Sequence, residues 1–244
     1  MNTNLILKND LNEFRKAASD PTFEFRYEDC VLAIRKKCAL FFEIMKDVIP
    51  LSQKYLSLAV VEKNKFMTEY FLDRGMKPCS VTMNYAAQNG SACLKLLHER
   101  GGELLPGVTH AAAQNMKIGS LKYAIRNGCE WDKRVCAVAV SSGNVTFIKG
   151  CLDLGCPRTK EGLEKTIVEN KLALFILFLE NGFEITIDTL KKCISLKRLF
   201  FLRELVLRRI EEFKKIIKCT SDEDFIQSIK NNLEREVQEV LFQN

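Results

Sequence analysis

Histidine and tryptophan are nearly missing from this chain of 244 residues, which holds two of the first and one of the second. His98 and His110 have no Ser or Cys partner at the spacing of a nucleophile and its base, so nucleophilic catalysis finds no footing. A Cys-x-x-Cys pair is absent, the nearest cysteines being Cys151 and Cys156, and a zinc site is not expected. No Gly-x-x-x-x-Gly-Lys loop occurs, and Gly101-Gly102 lacks the strand-to-helix setting of a phosphate cradle. Long apolar runs are missing too. Leu172–Leu179 is far short of the ~18 residues that cross a membrane. The opening residues have neither the basic start nor the apolar core of a signal peptide. The expectation is a chain with no catalytic residue, no cofactor, no metal and no membrane span.

Ten cysteines are present, and without a secretion signal they point to a reducing compartment. Cys38, Cys93, Cys136, Cys151 and Cys193 fall in segments of helical pattern, as small packed thiols would. The expected location is intracellular, in the cytoplasm with the nucleus as an alternative.

The strongest positive signal is a beat. Gly75, Gly101, Gly128, Gly155 and Gly182 are separated by 26, 27, 27 and 27 residues. Other columns keep its phase. Ala86, Ala112, Ala139, Thr166 and Cys193 stand eleven residues after the glycines, and Leu94, Leu121, Ile148 and Phe175 seven before the last four. Phe71/Leu72, Ala124/Ile125, Cys151/Leu152 and Phe178/Leu179 form an apolar pair just ahead of their glycine, with His98 beside Leu97 as the exception. Projected outward, the interval reaches Val48 and Pro21 on one side and Arg209 on the other, where the glycine is lost but Ala59, Leu32, Ala33, Phe41, Ile44, Met45, Leu202, Leu205 and Val206 keep the pattern.

Within each unit the apolar spacing is three and four residues, the period of a helix face. Each unit therefore reads as a helical hairpin. In the clearest copy helix A spans Lys133 to Ser141, Gly143-Asn144 turns the chain, and helix B spans Thr146 to Asp153. Ser80 and Thr109 are expected to cap their helices, and the glycine after helix B to take a positive φ. Helices this short are marginal alone, so stacking is obligatory, and the small-residue column lets neighbouring helices approach.

The run Leu121-Lys-Tyr-Ala-Ile-Arg-Asn-Gly-Cys-Glu-Trp-Asp132, followed by Cys136-Ala-Val-Ala-Val and Ser142-Gly-Asn, resembles the degenerate ankyrin repeats abundant in large DNA viruses of amoebae. Leu94-Lys-Leu-Leu-His-Glu-Arg-Gly and Gly155-Cys-Pro carry the same resemblance, which covers residues 48 to 190. It implies an all-α, ankyrin-like α-solenoid that engages host proteins. The unit departs from the ~33 residues of an ordinary ankyrin repeat and has no Thr-Pro-Leu-His, so the protruding finger is expected to shrink to a short turn. We expect one elongated domain: a capping half-repeat over 1–20, about seven units over 21–208 beginning near 21, 48, 75, 101, 128, 155 and 182, and a helical cap over 209–244.

The net charge is +6 and uneven. Lys191, Lys192, Lys197, Arg198, Arg203, Arg208, Arg209, Lys214, Lys215 and Lys218 crowd the C-terminal part, with Glu204, Glu211 and Glu212 among them. The preferred reading is a solvated helix face, and nucleic-acid binding is the alternative. Phe200 and Phe201 fit the core pattern rather than a base-stacking platform.

Candidate partner-binding residues come from positions that packing leaves open. Lys77, Glu103, Glu130, Asp132, Arg158 and Glu184 occupy the inter-unit turns. Trp131 stands beside them as an anchor or a packing residue, its column holding Leu51, Pro78, Leu104 and Ile185. Lys95, Lys122 and Lys149 share one helix B column, a short positive stripe interrupted by Glu69 and Ile176.

At the C-terminal end Phe225, Ile226, Ile229, Leu233, Val237, Val240 and Leu241 predict one long helix over 222–242 that caps the last unit of a monomer, or alternatively forms a dimer. The ending Glu239-Val-Leu-Phe-Gln-Asn resembles a viral cysteine-protease recognition sequence, read here as coincidence because the apolar stripe runs into it. Leu11, Phe14 and Ala17 mark the N-terminal capping helix. The functional expectation is a non-catalytic protein-interaction scaffold with a host protein as partner. A structural component of a viral particle and nucleic-acid binding through the basic region are the alternatives.

Overall fold

A computed structural model describes residues 11–20, 26–45 and 51–233. Among the described residues there are seventeen α-helices and no strand, so the fold is all-α. The unit starts expected near 21 and 48, and Val237, Val240, Leu241 and the terminal Glu239–Asn244, lie outside the described residues.

The chain divides into two compact units, Met1–Glu130 and Trp131–Asn244. The first holds α1 (Leu11–Ala18) and four helix pairs: α2 (Tyr27–Arg35) with α3 (Ala39–Ile44), α4 (Gln53–Val61) with α5 (Lys65–Asp73), α6 (Ser80–Asn89) with α7 (Ser91–Glu99), and α8 (Pro106–Gln114) with α9 (Ile118–Arg126). In the second, α10 (Val135–Ser142) pairs with α11 (Val145–Asp153), α12 (Lys160–Val168) with α13 (Leu172–Glu180), and α14 (Ile187–Ser195) with α15 (Leu199–Arg208), before α16 (Ile210–Lys218) and α17 (Glu223–Asn232). Each pair packs on itself. Helices two apart also pack, in the series α2, α4, α6, α8 and α7, α9 in the first unit, and α10, α12, α14 and α13, α15 in the second.

The helix B starts Lys65, Ser91, Ile118, Val145 and Leu172 step by the same 26, 27, 27 and 27 residues as the glycines. Those five glycines have φ between +75° and +88°, and a Cβ added at any of them would meet no neighbour within 4 Å. Backbone conformation, not crowding, requires glycine there. The turns close alike: Gly155 N donates to Leu152 O at 2.9 Å and Cys156 N to Cys151 O at 3.0 Å, a Schellman arrangement repeated at Gly128 and Gly182.

The small-residue column is buried throughout, with Ala33, Ala59, Ala86, Ala112, Ala139, Thr166 and Cys193 no more than 1 % exposed. Its role exceeds close approach. The carbonyls of Ala33, Ala59, Ala112, Thr166 and Cys193 accept from the backbone N–H five residues on, at 2.7–2.9 Å, closing helix A. Between acceptor and donor sits one left-handed residue, respectively Lys37, Lys63, Met116, Asn170 or Lys197, at φ +51° to +59°. Gly143 supplies the corresponding left-handed residue, at φ +68°, after α10.

Several expectations need correction. Helix A of the clearest copy begins at Val135, not Lys133, because Asp132 receives the backbone N–H of Arg134 at 2.9 Å and starts the helix later. Ser80 is the first residue inside α6, and Thr109 lies buried within α8 donating to Pro106 O at 2.8 Å, so neither caps. The capping side chains found are Ser52, Asn64, Asn144, Thr159, Thr186 and Asp222. The C-terminal helix stops at Asn232, where Leu233 turns extended. Asn232 donates its side-chain amide to Ser228 O at 2.7 Å, a local bond with which Asn weakens a helix end. Its apolar stripe is nevertheless used: Phe225, Ile229 and Leu233 are buried, and α17 packs on α14. Arg209, where a sixth glycine is lost, has φ −135° and α16 follows at once. At the other end α1 packs on α3 through Phe14 and Phe41, whose rings lie 5.0 Å apart.

Candidate functional site

Polar side chains connect positions roughly one period apart, 25 to 28 residues. In the first unit Arg35 donates to Glu62 at 2.9 Å, Tyr70 to Glu43 at 3.0 Å and Arg100 to Asp73 at 2.6 Å, each pair 27 residues apart. In the second, Ser141 donates to Glu169 at 2.8 Å, Lys192 to Glu164 and Arg208 to Glu180 at 2.7 Å, each 28 apart. His98, the polar exception in an apolar column, makes the same kind of link through Nδ1 to the Tyr123 hydroxyl at 2.9 Å. Exposed pairs contribute at most about 1 kcal/mol each, so these links register neighbours while the buried columns supply stability.

Further donors from one turn reach back to the end of the preceding helix A. Asn64 donates to Ile34 O, Asn89 to Val60 O, and Lys171 Nζ to Val140 O at 2.6 Å. Lys171 also pairs with Glu169 at 2.7 Å, and Lys165 does so at 2.9 Å. The Lys171 ammonium, with Lys165 and Ser141 adding to it against a smaller opposing effect of burial, holds the Glu169 carboxyl down at about 2.

The proposed contact residues are spread over the surface. Lys77, Glu103 and Glu130 in the first unit and Arg158 and Glu184 in the second are exposed. Asp132 is bound by the Arg134 guanidinium at 2.9 and 2.6 Å. Trp131 is half-buried. Lys95, Lys122 and Lys149 are exposed, on α7, α9 and α11. Lys95 lines an open groove of about 730 Å³ between α5 and α7, with Lys63, Lys65, Glu69, Asn89 and Glu99. Glu184 lines a second of about 600 Å³ with Ile185, Ile187, Glu212, Lys215 and Ile216.

Sequence reasoning placed Phe200 in the core, and it is 72 % exposed. Phe201, Leu202, Leu205 and Val206 form the buried stripe of α15, and Phe200 lies about 100° from Phe201 and nearly opposite the middle of that stripe. Phe66 occupies the same second position of α5 and is 53 % exposed. A column-by-column comparison of helix B, rather than hydropathy, carries that signal. Among the C-terminal basic residues, Lys191 pairs with Asp222, Lys192 with Glu164, Arg208 with Glu180 and Glu204, and Arg209 with Glu212.

Thiol chemistry is subdued. Burial pushes Cys30, Cys93 and Cys129 up to about 11 and Cys151 and Cys193 to about 12. At Cys79, ahead of α6, burial opposes ionisation but hydrogen bonds from the Thr82 hydroxyl and nearby amides outweigh it and lower the value. Among the described residues no group of three or more His, Cys, Asp or Glu side chains is placed to hold a metal ion, and no helix is long and apolar enough to cross a membrane. Neither protein-family models nor curated proteins give a match to this chain.

Proposed function

We propose that the chain is an ankyrin-like α-solenoid of about seven two-helix repeats acting as a protein-interaction scaffold. The observation that carries this reading is the recurrence, at one period, of the left-handed turn, the buried small residue and the side-chain link to the next pair. Such an array spends its buried positions on holding neighbours together, and leaves the turn residues to vary in charge from unit to unit. Lys77, Glu103 and Glu130 in the first unit and Arg158 and Glu184 in the second are the contact positions in this reading, with Lys95 and Lys122 in the first and Lys149 in the second as secondary basic positions. Asp132 belongs to the fold of its own turn instead. The partner is a protein, and the host protein implied by the resemblance is part of the same proposal. Ion pairing of Lys191, Lys192, Arg208 and Arg209 weighs against the nucleic-acid alternative.

Reversing the charges of Lys77, Glu103, Glu130, Arg158 and Glu184 together tests it. The variant should melt as the parent does, because these side chains are exposed, yet lose the proteins that the parent retains from a cell lysate. Retention of the same proteins by both would reject these turns as contact positions.

A further inference from the structure

Lysine recurs where the backbone gives it no advantage. Lys37, Lys63 and Lys197 take φ +53° to +59° in the turn from helix A to helix B. A left-handed residue with a Cβ is strained there, and glycine or asparagine meets the same need at Gly143 and Asn170. The turn itself therefore does not ask for lysine. Nor does the fold engage the side chain: all three lysines are exposed, and among the described residues none of their ammonium groups has an ion pair or hydrogen bond. A second observation runs with the first. Three residues after each of these lysines, at the second position of helix B, a large apolar side chain stands in solvent: Leu40 at 51 %, Phe66 at 53 % and Phe200 at 72 % exposure. In the pairs whose turn has no left-handed lysine, that position holds Ala92, Gly119, Thr146 or Ala173.

Two of the three copies are adjacent in the first unit. There α2 packs on α4, and Arg35 donates to Glu62 at 2.9 Å just ahead of the two turns, setting them side by side and neutralising Glu62. Past Phe66, where Ala92 replaces the large residue, lies the open groove of about 730 Å³ between α5 and α7, with Lys63, Lys65, Ala92 and Leu96 in its lining. We infer that these turns of the first unit dock an acidic segment of a partner protein that also carries apolar side chains. Its carboxylates meet Lys37 and Lys63, and its apolar side chains lie on Leu40 and Phe66 and in the groove beside them. The unpaired cations select an anionic occupant, and the groove gives its side chains a place to lodge, which a lipid surface does not require. Helices packed ~10 Å apart match three residues of extended chain at ~3.3 Å each, so acids at every third position meet successive lysines. These turns lie at the opposite ends of the helices from Lys77, Glu103 and Glu130, so the inference stands apart from those contact positions.

A fluorescent peptide of Glu-Leu-Ser repeated four times is titrated with the full-length protein at about 50 mM salt and read by anisotropy. The expected result is saturable binding, weakened at least roughly fivefold when the peptide is Gln-Leu-Ser or Glu-Ser-Ser instead, and by a similar factor in Lys63→Gln and in Phe66→Ser. Lys37→Gln and Leu40→Ser should weaken it in the same direction, all four variants should melt as the parent does, and charge reversal at Lys77, Glu103 and Glu130 should leave binding unchanged. Absence of saturable binding, equal binding of the Gln-Leu-Ser or Glu-Ser-Ser peptide, or loss only on charge reversal at Lys77, Glu103 and Glu130 would overturn the inference. So would binding of phosphatidylserine vesicles, and not of the peptide, that Lys63→Gln and Phe66→Ser abolish, because it would give the surface to a membrane.

Discussion

At the scale of single residues, two columns make opposite demands on side-chain size and backbone. Ala112 is fully buried and its carbonyl accepts the N–H of Lys117 at 2.9 Å, so a larger side chain must displace both a helix and a turn. Ala112→Leu should destabilise by about 1–3 kcal/mol, read by urea denaturation. Met116 holds φ +51° with no glycine's freedom, and Met116→Gly should stabilise or be neutral, by up to about 1 kcal/mol in the same assay. Glu169 provides the pH test. Its carboxyl is held at about 2 in the folded chain against an ordinary 4.5, so its contribution is complete above 4.5 and is lost as pH falls toward 2. Glu169→Gln should remove that component: parent and variant stability should converge on acidification, and a gap unchanged between pH 5 and 2 would contradict the clamp. The glycine beat and the small column were legible because each is dictated by a backbone or steric requirement that few residues meet. Left-handed Lys37, Lys63, Met116 and Lys197 were not, since lysine and methionine carry no local turn signal and the surrounding contacts impose the conformation. Phe200 misled because a hydrophobic residue next to a stripe looks like part of it.

At the scale of elements, helix existence was readable from period and the ends were not. The late start of α10 comes from one carboxylate, Asp132, taking a backbone donor, and the early end of α17 from an asparagine side chain turning on its own helix. Both are short-range choices invisible to hydrophobic spacing. Asn144 is a cap with little else to do, its Oδ1 accepting from Phe147 N at 2.9 Å. Asn144→Ala should therefore cost about 1 kcal/mol through α11 alone, detectable as a shift in the denaturation midpoint with an unchanged slope. The proposed contact positions were the least legible part, because packing does not dictate side-chain identity at exposed turns.

At the scale of the whole molecule, helix pairs within each compact unit pack on the pairs beside them in sequence, so stability should follow register and not length. Removing residues 76–101 takes out α6, α7 and one full period of 26 residues, and leaves the columns on either side in phase. Removing 76–89 takes out fewer residues and only α6, and throws α7 onto the packing position of a helix A. Circular dichroism and urea unfolding of the two deletions against the parent is the most direct measurement. A repeating array predicts that the longer deletion keeps the parent's mean residue ellipticity and a cooperative transition while the shorter one loses both. The opposite ranking, or equal damage from the two, would contradict it.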